Sequence, residues 1–88
     1  MQKFEWDKNK RKYNLEKHGI DFADILELFD DQNRIEFENT RSGEKRFQTI
    51  GMVSDVILFL VYTSRGKKKR IISVRRASKN ERKAYEEA

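Results

Sequence analysis

The chain has 88 residues, with 20 lysines and arginines against 15 aspartates and glutamates, a net charge of +5. With neither cysteine nor proline, disulfides and thiolate metal centres are excluded and nothing marks a linker, so one small domain, 1–88, with one core is expected. The longest apolar run, VILFLVY at 56–62, is far too short to span a bilayer, and MQKFEWDKNK lacks the apolar core of a signal peptide; a soluble cytoplasmic protein is the expectation.

In chain order, WDKNKRKYNLEKHG reads as a first helix. Asp7 is its cap, a carboxylate accepting backbone N–H bonds, and Lys17, His18 and Gly19 form its stop. Its apolar stripe is thin: Trp6, Tyr13 and Leu15. DFADILELFDD reads as a second helix capped by Asp21, because Phe22, Ile25, Leu26 and Phe29 fall at i, i+3, i+4 and i+7. The period then changes to two. RIEFEN (34–39) alternates apolar and charged residues, TRSGE (40–44) turns, and KRFQTIGMV (45–53) is a second strand. Ser54-Asp55 is a tight connection into VILFLVYTS (56–64), apolar on both faces as in a central strand. RGKKK turns again, and Arg70 to Ala77 return as a fourth strand. Ser78-Lys79-Asn80-Glu81 is a capping box that opens a short helix through Tyr85. The expected fold is α+β, ordered ααββββα: two N-terminal helices on one face of a four-stranded antiparallel sheet, and a short C-terminal helix closing one end of the other face.

A surplus of positive charge favours polyanions, nucleic acid first. In the fourth strand Ile72, Val74 and Arg76 share one face, and Ile71, Ser73 and Arg75 share the other. The set with Val74 is the more apolar, so it is expected to pack on the helices, with Arg75 on the open face and Arg76 at the edge of the core. A guanidinium is a strong phosphate ligand because its fork matches two oxygens and stays charged. The bland alternative is a strand-end arginine paired to a helix carboxylate. The hairpin RGKKKR (65–70) adds Arg65, Lys67, Lys68 and Arg70, able together to follow a phosphate backbone. His18 is the one histidine, a residue type suited to moving protons in RNA cleavage and equally suited, as a cation, to a helix C-terminus. Any second proton-transfer group must then be of another type, with Tyr62 and Tyr85 the candidates. Asp30-Asp31 with Glu27 reads as a solvated helix end rather than a Mg²⁺ site. No phosphate-cradling glycine loop, zinc spacing or nucleophilic elbow is present, so no metal and no cofactor are expected.

FEWDKNK…N…KHGIDF (4–22), LFDD (28–31), GEKRF…IG (43–51), VYTSRG (61–66) and RIISVRRASKNERKAYE (70–86) together resemble the BrnT-type toxin family. The likeness keeps the order of the blocks over nearly the whole chain. Val74 stands where the family usually has alanine, and residues 32–42 match least. The resemblance implies a RelE-like fold and a ribonuclease that blocks translation, the toxin half of a bacterial type II toxin–antitoxin module. It implies a BrnA antitoxin of ribbon–helix–helix type, and operator DNA bound only through the complex. The matching polar positions are Lys10, Asn14, Lys17, His18, Arg46, Tyr62, Arg65, Arg70, Arg75, Arg76 and Tyr85. The reading that combines residues and resemblance is a metal-independent endoribonuclease. His18, Arg75, Arg76 and Tyr85 are its catalytic candidates, and Lys10, Lys17, Arg46, Arg65, Lys67, Lys68 and Arg70 its RNA contacts. A non-catalytic RNA- or DNA-binding module and a structural partner subunit are the rival readings.

Overall fold

The computed structural model describes residues 3–88. Among the described residues, five strands and two α-helices run in the order β1 (Lys3–Trp6), α1 (Lys8–His18), β2 (Ile35–Arg41), β3 (Glu44–Val53), β4 (Val56–Arg65), β5 (Lys68–Arg76) and α2 (Lys79–Glu87). They build one sheet of spatial order β1-β5-β4-β3-β2. The fold is α+β, but the ααββββα order is corrected in two places. A strand, β1, precedes the first helix and lies parallel to β5, with Trp6 opposite Ile71. The expected second helix is instead two short 3₁₀ turns, Phe22–Asp24 and Leu26–Asp30.

The burial pattern explains the second correction. The residues that go fully inside are Phe22, Ile25 and Leu28, spaced by three, while Leu26 and Phe29 stay half-buried. A step of three is the period of a 3₁₀ helix, whereas the stripe read from the sequence assumed 3.6. Asp21 fastens the start of this segment, accepting from the Ala23 N–H and pairing with Arg11 at 2.7 Å. Phe22, Ile25 and Leu28 then pack on Leu58, Leu60, Tyr62, Ile71 and Val74 to form the core. Gly51 of β3 lies directly under this segment: a Cβ there would meet Leu28 Cγ at 2.8 Å.

β2 to β5 form an antiparallel meander. Ser54 and Asp55, both at positive φ, make the two-residue turn between β3 and β4, a geometry that matches strand twist. β5 carries one irregularity. Val61 pairs with Ser73 and Tyr62 with Ile71, which leaves Ile72 as the extra residue of a bulge. The bulge shifts the alternation, so Ile71 and Val74 both face the core; the expected pairing of Ile72 with Val74 on one face is broken there.

α1 is capped as its sequence indicates: Asp7 accepts from Asn9 and Lys10 N–H groups, and Gly19 ends it in the left-handed region. It does not lie across the sheet on an apolar stripe. Tyr13 and Leu15 are exposed, and its one buried residue is Asn14. β1 stops opposite Ile71, and from there α1 flanks the outer edge of β5. The Asn14 side chain accepts from the Val74 N–H and donates to the Ile20 carbonyl, both at 3.0 Å. α2 opens on the Ser78–Glu81 capping box and packs back against β3.

Candidate active site and nucleic-acid surface

On α1 the positions Lys10, Tyr13, Asn14 and Lys17 follow i, i+3, i+4 and i+7, so they share one face. An amphipathic helix would place apolar residues there. Here that face, joined by Asn9 and His18, walls a groove of about 430 Å³ whose other wall is Ile72 and Ser73 of β5. The bulged Ile72 provides an apolar contact surface, Ser73 a hydroxyl, and the helix a row of cations. Lys10 and Lys17 are exposed and His18 is half-buried. Lys17 Nζ lies 5.6 Å from the centre of the Tyr13 ring. The groove therefore offers two cations, an imidazole and a phenol around one cleft.

Ser73 also belongs to the sheet face turned away from the core, and strand register orders that face into rows. Arg41, Glu44, Arg65, Lys68 and Lys3 form the row nearest the 65–68 turn. Asn39, Arg46, Thr63, Arg70 and Glu5 form the next. In these two rows six cations stand over two carboxylates. Phe37, Gln48, Val61 and Ser73 follow, and then Ile35, Ile50, Phe59 and Arg75. The open face thus has a basic end and an apolar, aromatic middle, and its β5 side adjoins the groove.

The basic end is only partly neutralised. Arg70 pairs with Glu5 at 2.6 Å. Arg46 and Arg65 share Glu44 at 3.9 and 3.7 Å, too far for strong hydrogen bonds, and the buried Arg46 Nε has no hydrogen-bond partner among the described residues. Lys67 and Lys68 are exposed in and beside the turn.

The four residues read from the sequence as catalytic are not gathered at one point. His18 lines the groove. Arg75 is on the open face, but both Nη atoms are taken by the Glu81 carboxylate, at 2.7 and 2.9 Å, while its guanidinium lies 4.3 Å from the Phe59 ring centre. The pair raises the Arg75 pKa and, chiefly through that same hydrogen bond, lowers that of Glu81. Arg76 is exposed and pairs with Leu58, which puts it on the core side of β5. Tyr85 donates to Asp31 at 2.6 Å, and this bond to a carboxylate pushes its pKa up to about 12. Burial acts to raise the Asp31 pKa, but hydrogen bonds from Tyr85, Asn33 N–H and Met52 N–H outweigh it and hold the carboxyl below its usual range. Tyr85 and Asp31 line a different hollow, of about 670 Å³, with Glu27, Asp30 and Asp55. Tyr62 is buried, with Phe47 and Phe29 against its ring and its hydroxyl bonded to Glu36; burial first, then Glu36, raises its pKa. Neither tyrosine weighed as a proton-transfer group lines the groove that holds His18. Among the described residues, no three His, Cys, Asp or Glu side chains are grouped to hold a metal ion.

The geometry is a small sheet with a cationic cleft beside an arginine-rich face. Residues 6–81 match the profile of a family described as the ribonuclease toxin, BrnT, of type II toxin–antitoxin systems. The chain belongs to the BrnT family. No curated protein matches it. Membership makes RNA the substrate class and an antitoxin the partner class. Tyr13 was read from the sequence as part of a thin apolar stripe. The signal for its place in the groove is the run Lys10, Tyr13, Asn14, Lys17, a polar face where a packed helix needs an apolar one. Phe37 and Gln48 carried no motif, and their nearness is a matter of register alone.

Proposed function

We propose that the chain is a metal-independent endoribonuclease that cuts RNA in the groove between α1 and β5. The observation that carries this is the convergence of Lys10, Lys17 and His18 on one cleft, with the Ser73 hydroxyl opposite. Self-cleavage through the 2′-oxygen needs two services. The 2′-hydroxyl must lose a proton as its oxygen attacks phosphorus, and the departing 5′-oxygen must gain one as its bond to phosphorus breaks, leaving a 2′,3′-cyclic phosphate. His18 takes the first proton as general base, a role worth about 10²–10⁴-fold. Tyr13 is the phenol of the groove and the candidate donor for the second. Lys10 and Lys17 face the non-bridging oxygens, where charge builds in the transition state.

Arg75 serves this site by position. With its fork on Glu81 and its plane over Phe59, it ties the start of α2 to the open face, and the two lysines take the phosphate role that a free guanidinium would have. Tyr85, through Asp31, ties down the other end of α2. Arg46, Arg65, Lys67, Lys68 and Arg70 guide the flanking RNA backbone. Cleavage of RNA in the cytoplasm blocks translation, and a BrnA-type ribbon–helix–helix antitoxin neutralises the toxin.

Incubating the purified protein with RNA in excess EDTA tests the reading. Cleavage should persist, with 2′,3′-cyclic phosphate at the new ends. Loss of cleavage in the chelator would overturn the metal-free route. Tight RNA binding with the RNA left intact would make the chain a binding module.

A further inference from the structure

Phe37 is half exposed (50%) in the apolar part of the open face, on the edge strand β2. A single exposed aromatic is ordinary; its surroundings are not. Gln48 is its cross-strand partner, Asn39 is the next residue of β2 on the same face, and Arg46 lies diagonally opposite. Ile35, two residues earlier, and Val61, beyond Gln48, continue the apolar surface on either side. The site thus combines an exposed ring, two primary amides and a cation.

We propose that Phe37 and Gln48 form a base-reading subsite for single-stranded RNA: a nucleobase stacks on the Phe37 ring, and the Gln48 and Asn39 amides hydrogen-bond its edge. The inference rests on RNA crossing the open face to reach the groove, and it adds the residues that choose where the strand is cut. Unpaired bases are read in this way, by stacking on aromatic side chains of a sheet while polar groups read their exposed edges. An acidic protein would use the cations of the face but has no need of a ring flanked by two amides. The span fits as well. Ser73, Val61, Gln48 and Phe37 lie in one row, so the subsite is three strand spacings, about 14 Å, from the groove. A strand held at Phe37 runs along the basic rows on its way to Lys10, Lys17 and His18.

Half exposure lets Phe37 be changed without opening the core, and Phe37→Trp keeps a stacking ring as the control. Binding of short single-stranded oligoribonucleotides and cleavage of a long RNA are measured for wild type, Phe37→Ala, Phe37→Trp and Gln48→Ala. Phe37→Ala should weaken binding about 5- to 100-fold, raising KM with kcat kept, and Phe37→Trp should hold near wild type. Gln48→Ala should redistribute the cut sites and lower cleavage at the sites that wild type prefers. Phe37→Ala that binds and cuts like wild type would overturn the proposal while leaving the ribonuclease reading in place. So would Phe37→Ala that cuts RNA normally but escapes neutralisation by the antitoxin, since the patch would then be a protein interface. Wild type that neither binds nor cuts RNA would defeat the ribonuclease reading and this subsite together.

Discussion

Asn14 shows how one side chain can replace an apolar interface. Only 3% exposed, it spends its amide on two backbone groups, the Val74 N–H of β5 and the Ile20 carbonyl beyond α1. β1 has ended by this point, so Asn14 serves that edge of β5 where a strand otherwise would. An asparagine in a helix is usually an exposed residue, and nothing local marks this one as buried; only its place among Lys10, Tyr13 and Lys17 signals that this face is special. Asn14→Ala should lower stability by about 1–3 kcal/mol, the cost of stranding buried polar groups, measured by chemical denaturation. A denaturation midpoint equal to wild type would show that α1 is held by something else. Arg75 is the opposite case. Its place on the strand was legible, but the Glu81 that takes its fork was read only as half of a capping box. Glu81 does both: one oxygen accepts from the Ser78 N–H at 2.7 Å while the carboxylate grips Arg75.

Among the elements, the meander from β2 to β5 was legible because alternation and turn residues are local signals. Ser54-Asp55 interrupts two apolar runs, and Ser42-Gly43 supplies turn residues between two alternating segments; all four residues sit at positive φ. β1 was not legible. Four residues carry little periodic signal, and their partner in β5 lies 65 residues away in a parallel pairing that no turn announces. The Ile72 bulge has no signature either, since it depends on how β4 and β5 meet. The segment at 22–30 failed for a sharper reason. Its apolar residues satisfy both the 3.6 and the 3.0 period, and only tertiary packing decides that 22, 25 and 28 go inside. Gly51 belongs to that decision, because Leu28 occupies the space a side chain would need. Gly51→Ala should cost about 1–3 kcal/mol in overpacking, and Gly51→Val more. A thermal midpoint unchanged in Gly51→Ala would mean that the turn shifts freely and is not seated on β3 as described.

For the molecule as a whole, polar ties do much of the work of assembly. Asp21 to Arg11 joins the 3₁₀ segment to α1, while Asp31 to Tyr85 and Met52, and Glu81 to Arg75, fasten the end of that segment and α2 to the sheet. All three carboxyls titrate lower in the folded chain than in the unfolded one: Asp21 mainly through Arg11, Asp31 through its donors against the opposing effect of burial, and Glu81 mainly through Arg75. The unfolded chain therefore binds protons first as pH falls. Stability from these groups is complete above the unfolded values of about 4 and is lost as pH drops through the folded ones. The thermal midpoint should be level from about pH 7 to 5 and fall below about 4, with a shallower fall in Asp31→Asn. An identical acid slope in Asp31→Asn would remove Asp31 from the account. The overall positive charge was legible from composition, but its grouping into two rows on one face required the register of five strands.

The most direct measurement is the turnover of a defined single-stranded RNA at saturating concentration, in chelator, by wild type and by folded His18→Gln. Wild type should cleave, and His18→Gln should bind the RNA with similar affinity but turn it over at least about 10²-fold more slowly. His18→Gln that cleaves at the wild-type rate would contradict the groove between α1 and β5 as the place where the RNA is cut.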